Sequence, residues 1–286
     1  MSITFNDVSH IYMPGTPFEQ TALKKINLEI KQGQFVGIIG HTGSGKSTLV
    51  QHMNGILKPT QGAVTVEGID VNAKGMSARD AKQKVGMVFQ YPEHQLFEET
   101  IFEDIAFGPR NLGLDEKEIE RRVKTALEFV GLDFKTFSKR SPFQLSGGQM
   151  RRVAIAGVIA LEPKYLILDE PSAGLDPRGR EEILEQISEL HKTTGVTVIM
   201  VSHSMEEVAK LADRLVVMYN GQVKLDGSPR EVFRHGREEL SRAGVDVPSV
   251  CTLLAEIAKR GLTVDGLPLT PEEAAEAIWT VKGRHS

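Results

Sequence analysis

Three segments of this sequence hold residues suited to handling phosphate. Gly40-His41-Thr42-Gly43-Ser44-Gly45-Lys46-Ser47-Thr48 fits the phosphate-loop pattern G-x-x-x-x-G-K-[ST]. Glycines at these places let backbone N–H groups close round phosphate oxygens, at a helix start whose dipole favours negative charge. Lys46 is expected to reach the β- and γ-phosphates of ATP, and the Ser47 hydroxyl to coordinate Mg2+. Tyr165-Leu-Ile-Leu168 reads as a buried strand that delivers Asp169 to the metal. Glu170, one residue on, is placed to accept a proton from an attacking water. Leu145-Ser146-Gly147-Gly148-Gln149 precedes a helix, so Ser146 and the Gly147 and Gly148 amides form a second anion-binding helix start. One chain already has one triphosphate cradle, so a second cradle needs another use.

The elements that carry these segments follow from periodicity. Ile3–Val8 and Leu28–Ile30 alternate like strands, Phe35–Ile39 is a continuous apolar run ending at Gly40, and Gly62–Gly68 alternates again. Ser47–Leu57 reads as a helix stopped by Lys58-Pro59. Asp115–Val130 repeats apolar residues at Ile119, Val123, Leu127 and Val130, a helical spacing closed by Gly131. Met150–Leu161, Arg180–Leu190 and Met205–Ala212 read as further helices, with a buried strand at Val196–Val201. Leu215–Tyr219, Asn220-Gly221 and Gln222–Leu225 predict a hairpin with a type I′ turn. Strands alternating with helices imply an α/β fold with a parallel sheet. The tail differs: Ser228-Pro-Arg-Glu231 and Thr270-Pro-Glu-Glu273 predict capping boxes, with a helix over Pro248–Arg260 between them.

On the Leu145–Gln149 segment the sequence resembles the ABC ATPase superfamily, in which this signature of one subunit grips the γ-phosphate held by the phosphate loop of another. The resemblance covers about residues 1–226 and implies a P-loop NTPase cassette. Such a cassette has a parallel-sheet core, an antiparallel β subdomain, a helical signature subdomain over about 95–160, and here a C-terminal helical appendage over 227–286. Gln90, after the apolar Val85–Phe89, matches the glutamine that links Mg2+, the lytic water and the transmembrane partner. Ser172-Ala-Gly-Leu-Asp176 matches the loop crossing the dimer interface, His203 the histidine at the γ-phosphate, and Tyr12 the aromatic that stacks on adenine.

Phe89-Gln-Tyr-Pro-Glu-His-Gln-Leu-Phe-Glu-Glu-Thr100 and the following Ile101–Pro109 are similar to energy-coupling factor transporters. His41-Thr42 and Gly15–Glu19 are similar to the second of that family's two ATPase paralogues. The resemblance implies ATP hydrolysis coupled to uptake of a vitamin or metal ion. It implies a heterodimer with a second ATPase, a transmembrane coupling protein and a membrane-embedded substrate-binding protein. It places the chain peripherally on the cytoplasmic face of the cell membrane. Tyr91–Thr100 is expected to be the membrane contact, with Leu96 and Phe97 as apolar anchor and Glu93, Glu98 and Glu99 as charges. The helical tail is expected to add a nucleotide-independent contact between the ATPases. A small-molecule kinase would use Lys46 but leave Leu145–Gln149 and His203 idle. A soluble ABC ATPase acting on DNA or ribosomes would usually carry a coiled-coil insertion or a fused second cassette, and this sequence carries neither.

Composition agrees with these expectations. The 286 residues suggest one large domain with an appendage, or two domains. A net charge of −4 supplies no basic field, which argues against sequence-independent nucleic-acid binding. Met1-Ser-Ile-Thr-Phe-Asn shows no basic region before an apolar run, so no secretory signal is expected. No apolar stretch approaches the roughly 20 residues that span a bilayer. Cys251 has no second cysteine to pair with, which excludes an internal disulfide and fits a reducing compartment.

Overall fold

The computed structural model describes residues 1–235, 237–261 and 263–283. Its strands are β1 (Ser2–Tyr12), β2 (Gln20–Lys31), β3 (Phe35–Ile39), β4 (Gln61–Val66), β5 (Ile69–Asp70), β6 (Val85–Val88), β7 (Tyr165–Asp169), β8 (Thr197–Val201), β9 (Arg214–Tyr219) and β10 (Gln222–Gly227). One sheet is antiparallel, in the order β2-β1-β4-β5. The other runs β10-β9-β3-β8-β7-β6, parallel except for β10. β3, β7 and β8 are buried at every residue, as expected of short apolar strands covered on both faces. Their register pairs Phe35 with Val198, Tyr165 with Thr197, and Val85 with Tyr165. The carboxyl ends of β3, β6, β7 and β8 therefore reach one edge of the sheet. That edge is where ligands bind in open α/β sheets, and it carries Gly40, Gln90, Glu170 and His203.

The helices are α1 (Lys46–Met53), α2 (Met76–Gln83), α3 (Ile101–Asn111), α4 (Glu116–Phe129), α5 (Phe134–Phe137), α6 (Gly147–Ile159), α7 (Pro177–Thr194), α8 (Met205–Leu211), α9 (Pro229–His235), α10 (Arg237–Arg242), α11 (Ser249–Lys259) and α12 (Pro271–Gly283). Side-chain oxygens set most starts: Thr100, Asp115, Asp133, Ser146, Asp176 and Ser204 each accept the amide three residues on. α3 and α4 pack on α6 and form the helical subdomain. Two apolar clusters flank the parallel sheet, and alternate residues of β7 feed them: Leu166 and Leu168 one, Tyr165 and Ile167 the other.

Element ends differ from the sequence expectation where local hydrogen bonding overrides periodicity. α1 stops at Met53 rather than Leu57, because Gly55 turns at φ 69 and the Ile56 and Leu57 amides fold back onto the Gln51 carbonyl. α6 starts at Gly147 rather than Met150, because Ser146 and Gln149 exchange hydrogen bonds in a capping box. Asn220 (φ 48) and Gly221 (φ 77) make the expected hairpin turn. In the tail, Ser228 and Glu231 cap reciprocally. Thr270 caps the Glu273 amide, but the Glu273 carboxylate goes to the Leu269 amide and Arg230, so only half of that box forms. α10 had no expectation in the sequence. Val232, Phe233, Leu240, Val245, Cys251 and Leu254 join the same apolar cluster as Leu166 and Leu168, so the tail shares the cassette's core. Among the described residues no helix is long and apolar enough to cross a membrane.

Candidate functional site

The phosphate loop is shaped by contacts that only glycine permits. A Cβ on Gly40 (φ 151) would stand 2.3 Å from the Met218 carbonyl oxygen, and one on Gly45 (φ 104) 2.6 Å from that of Ala22. The loop thus seats its backbone on β9 and β2. A cavity of about 350 Å³ opens above it, lined among others by Tyr12, Thr42, Gly43, Lys46, Ser47 and Thr48, with Gln90, Glu170 and His203 opposite. Gly40, His41 and Ser44 serve the loop from behind. The His41 ring packs edge-on against Tyr219 at 5.4 Å, and Ser44 is fully buried.

Lys46 is 6% exposed, and its Nζ donates to the carbonyls of Gly40 (2.7 Å) and His41 (3.0 Å). Burial lowers its pKa, against the opposing pull of Glu170 and Asp169. Burial raises the pKa of Asp169, an effect that a hydrogen bond from Ser47 opposes. Ser47, Asp169 and Gln90 offer oxygen donors, the hard ligand set Mg2+ takes with phosphate oxygens and water. Among the described residues no group of three or more His, Cys, Asp or Glu could hold a metal, so an ion here would need those further oxygens. The donors fit Mg2+ on that condition.

Glu170 adopts φ 55, a conformation that costs a non-glycine residue roughly 1–3 kcal/mol and clusters at functional sites. Its amide is fixed on the Val201 carbonyl (3.0 Å). Its carboxylate meets His203 Nε2 at 2.8 Å through one oxygen and accepts from Gln90 Nε2 at 3.2 Å through the other. Three residues distant in sequence thereby converge on the lining of the cavity. Tyr12, also lining the cavity, meets Thr48 Oγ1 with its hydroxyl (3.2 Å) and His10 edge-on at 4.5 Å.

The second cradle lies elsewhere. Ser146, Gly148 and Gln149 line a separate recess of about 650 Å³ with Gly174, Leu175 and Asp176, and no residue lines both spaces. Leu145 packs partly buried against the core. The Ser146 and Gln149 side chains satisfy each other's amides (3.3 and 3.1 Å), leaving the first-turn amides of Gly147 and Gly148 without intrahelical acceptors. Asp176 accepts the Gly179 amide at 2.6 Å as the cap of α7.

Two expectations about Tyr91–Thr100 change. Leu96 is 8% exposed and belongs to the core, whereas Phe97 is 58% exposed and stacks edge-on with Phe107. Glu93 turns inward to Arg151 (3.3 Å). An alternating apolar–charged stretch does not reveal which side chain faces in when its backbone is a short 3-10 turn followed by an extended link.

Sequence reasoning also missed two connectors. Glu207, 5% exposed, accepts from the hydroxyls of Ser172 and Ser202 (both 2.7 Å) and so ties the loops after β7 and β8. Arg151 on α6 donates to the Ala173 carbonyl. The only sequence signal for either is a charged residue at an inward helical position.

Comparison with known proteins agrees on one family. A family model described as ABC transporter matches residues 23–173. An energy-coupling factor transporter ATP-binding protein EcfA2 of Clostridium perfringens is 57% identical, covering 97% of both chains. The protein of that name from Symbiobacterium thermophilum is 56% identical over 97% of this chain and 96% of its own. Among solved structures, cbiO1 of Clostridium perfringens, part of the ABC transporter complex cbiONQ, superposes with a TM-score of 0.72 at 39% identity, covering 85% of this chain and 95% of that one. A dimeric ATP-binding cassette bound to ADP and Pi superposes with a TM-score of 0.71 at 30% identity, covering 80% of this chain and 99% of that one.

Proposed function

Since the chain belongs to the ABC transporter family, as an ATP-binding and ATP-hydrolysing subunit of the energy-coupling factor type that serves micronutrient or vitamin uptake, we propose that it hydrolyses ATP with Glu170 as base, in a site assembled from two chains. The observation that carries this reading is the convergence of His203 and Gln90 on the two oxygens of Glu170, all three lining the phosphate-loop cavity.

The loop amides and Lys46 bind the phosphates, with Lys46 exchanging its own loop's carbonyls for phosphate oxygens. Ser47, Asp169 and Gln90 would hold Mg2+, which would supply charge neutralisation at the phosphates. Glu170 accepts the proton of the attacking water, His203 donates toward the γ-phosphate, and Tyr12 supports adenine. Ser146 and the Gly147 and Gly148 amides act on the nucleotide of the partner ATPase, a reading supported by the recess that Ser146 and Gly148 line apart from this chain's own cavity. Asp176 lies on the loop between the two chains.

The partners are a second ATPase paralogue, a transmembrane coupling protein and a membrane-embedded substrate-binding protein. The chain sits peripherally on the cytoplasmic face of the cell membrane. Phe97, edge-on to the exposed Phe107, is the apolar anchor for the coupling protein, and Glu98 and Glu99 supply charge. Replacing Glu170 with glutamine keeps shape and hydrogen bonding but removes the base. ATP binding should persist while turnover of the assembled transporter falls at least about 10²-fold. Near-normal phosphate release by that variant would defeat the assignment.

A further inference from the structure

Arg151 is a buried cation that the reading above does not employ. It stands on α6, within two turns of the Ser146 cap, and is 3% exposed. A buried guanidinium is costly unless its donors are met, and here they are met only in part. Nη1 donates to the carbonyl of Ala173, between Glu170 and Asp176. Nε lies 3.3 Å from Glu93 Oε2, within ion-pair range but without hydrogen-bond geometry. Nε, Nη2 and Glu93 Oε2 are consequently all buried without a hydrogen-bond partner among the described residues. The Tyr91 ring lies 5.9 Å from the guanidinium.

One side chain thus touches three pieces of machinery: the helix that presents Ser146, the loop that follows Glu170, and the segment that follows Gln90. The Arg–carboxylate pair across them falls short of the two-bond fork such pairs favour. Only Tyr91 (φ 57) and Pro92 separate Gln90 from Glu93, so a displacement of Gln90 away from Glu170 acts on Glu93 across two residues. Buried donors lacking partners bias the segment toward whichever arrangement satisfies them.

We propose that Arg151 is a positioning residue that ties the Ser146 cradle to the segment after Gln90, and that its fork with Glu93 closes as Gln90 leaves Glu170 for nucleotide. This rests on the reading of Glu170 and Ser146 as parts of the hydrolytic site. The fork makes the second cradle's position depend on occupancy of the first.

The test uses the assembled transporter with Arg151→Met, Glu93→Gln and the double variant, measuring ATP affinity, kcat, KM and melting temperature. ATP affinity and KM should stay within about twofold while kcat falls about tenfold in each single variant, the scale of coupling carried by a residue outside the ligand contacts. The double variant should lose no more than either single one, because both remove the same fork. If Arg151→Met does not fold, kcat of the milder Glu93→Gln decides. Wild-type kcat in Glu93→Gln, or losses that multiply in the double variant, would overturn the proposal and leave Arg151 as a pin for the Ala173 carbonyl. Those outcomes are separate from full turnover in Glu170→Gln, which would fault the underlying site instead.

Discussion

At the phosphate loop, a Cβ on Gly40 or Gly45 would collide with backbone oxygens at 2.3 and 2.6 Å, whereas at the second cradle one on Gly147 would meet nothing within 4 Å and one on Gly148 only Leu175 at 3.8 Å. The first pair of glycines is demanded by this chain's own fold. The second pair is not, and neither has a left-handed φ that would require glycine. Nothing within this chain requires their small size, which accords with the action on a partner's nucleotide proposed above. The same contrast runs through the side chains. Lys46 and Ser47 line the phosphate-loop cavity, with the buried Asp169 hydrogen-bonded by Ser47, while Ser146 and Gln149 line the second recess and satisfy each other's amides.

The comparison breaks most sharply under alanine. Gly40→Ala should cost at least about 100-fold in ATP affinity of the chain by itself, since misplacing a positioned phosphate contact has effects of that order. Gly147→Ala should leave that affinity and the melting temperature unchanged. Turnover of the assembled pair should nonetheless fall by about 100-fold, the lower end of the range for losing an oriented donor at a transition state. Equal effects of the two substitutions on nucleotide titration of the single chain would erase the distinction.

The segment proposed to meet the coupling protein sharpens it further. Leu96→Ser should destabilise the chain by about 2–4 kcal/mol, as removal of a buried leucine side chain does. Phe97→Ser should spare both stability and ATP binding, yet reduce recovery of the membrane partner and substrate uptake. Thermal melts, complex recovery and uptake on the two variants separate a core residue from a docking one. Full uptake by Phe97→Ser would move the docking surface elsewhere.

The smallest expected effect is on pH. His52, fully buried on α1 behind the phosphate loop, donates from Nδ1 to the Thr48 carbonyl (2.7 Å), which leaves Nε2 to accept from His10 (3.2 Å). Burial pushes its pKa down, the Thr48 bond opposes this, and His10 adds to the lowering. The unfolded chain therefore binds the proton more readily. The stabilisation is complete above the ordinary imidazole value near 6.5 and is lost as pH falls below it toward the folded value. The melting temperature should drop between pH 7.5 and 5.5, and His52→Gln should shrink that drop by about one or two degrees. An unchanged pH slope in the variant would assign the acid sensitivity to other groups.

How much of this was legible beforehand differs by region. The parallel core was legible because its strands are unbroken apolar runs, and burial on both faces leaves few alternatives to that pattern. The phosphate loop was legible because its glycines answer to local backbone geometry, and the hairpin because Asn220-Gly221 suits one turn type. The start of α6 leaves no periodic signal because its first residues are glycines, and only the Ser146–Gln149 exchange reveals them as helical.

By itself, then, the sequence determined which residues can handle phosphate, the order of the elements bearing them, and the resemblance that names their chemistry. All of these depend on residue type and short-range spacing. Tertiary structure alone decided that Glu170, His203 and Gln90 meet within hydrogen-bonding distance, that the two cradles open into separate spaces, and that Leu96 and Glu93 face inward while Phe97 faces out. It also decided that the tail shares the cassette's core, which makes its removal a change to the fold rather than a clean deletion. Those outcomes depend on strand register and on which face of a helix meets another, and such long-range contacts leave no periodic trace in a single chain.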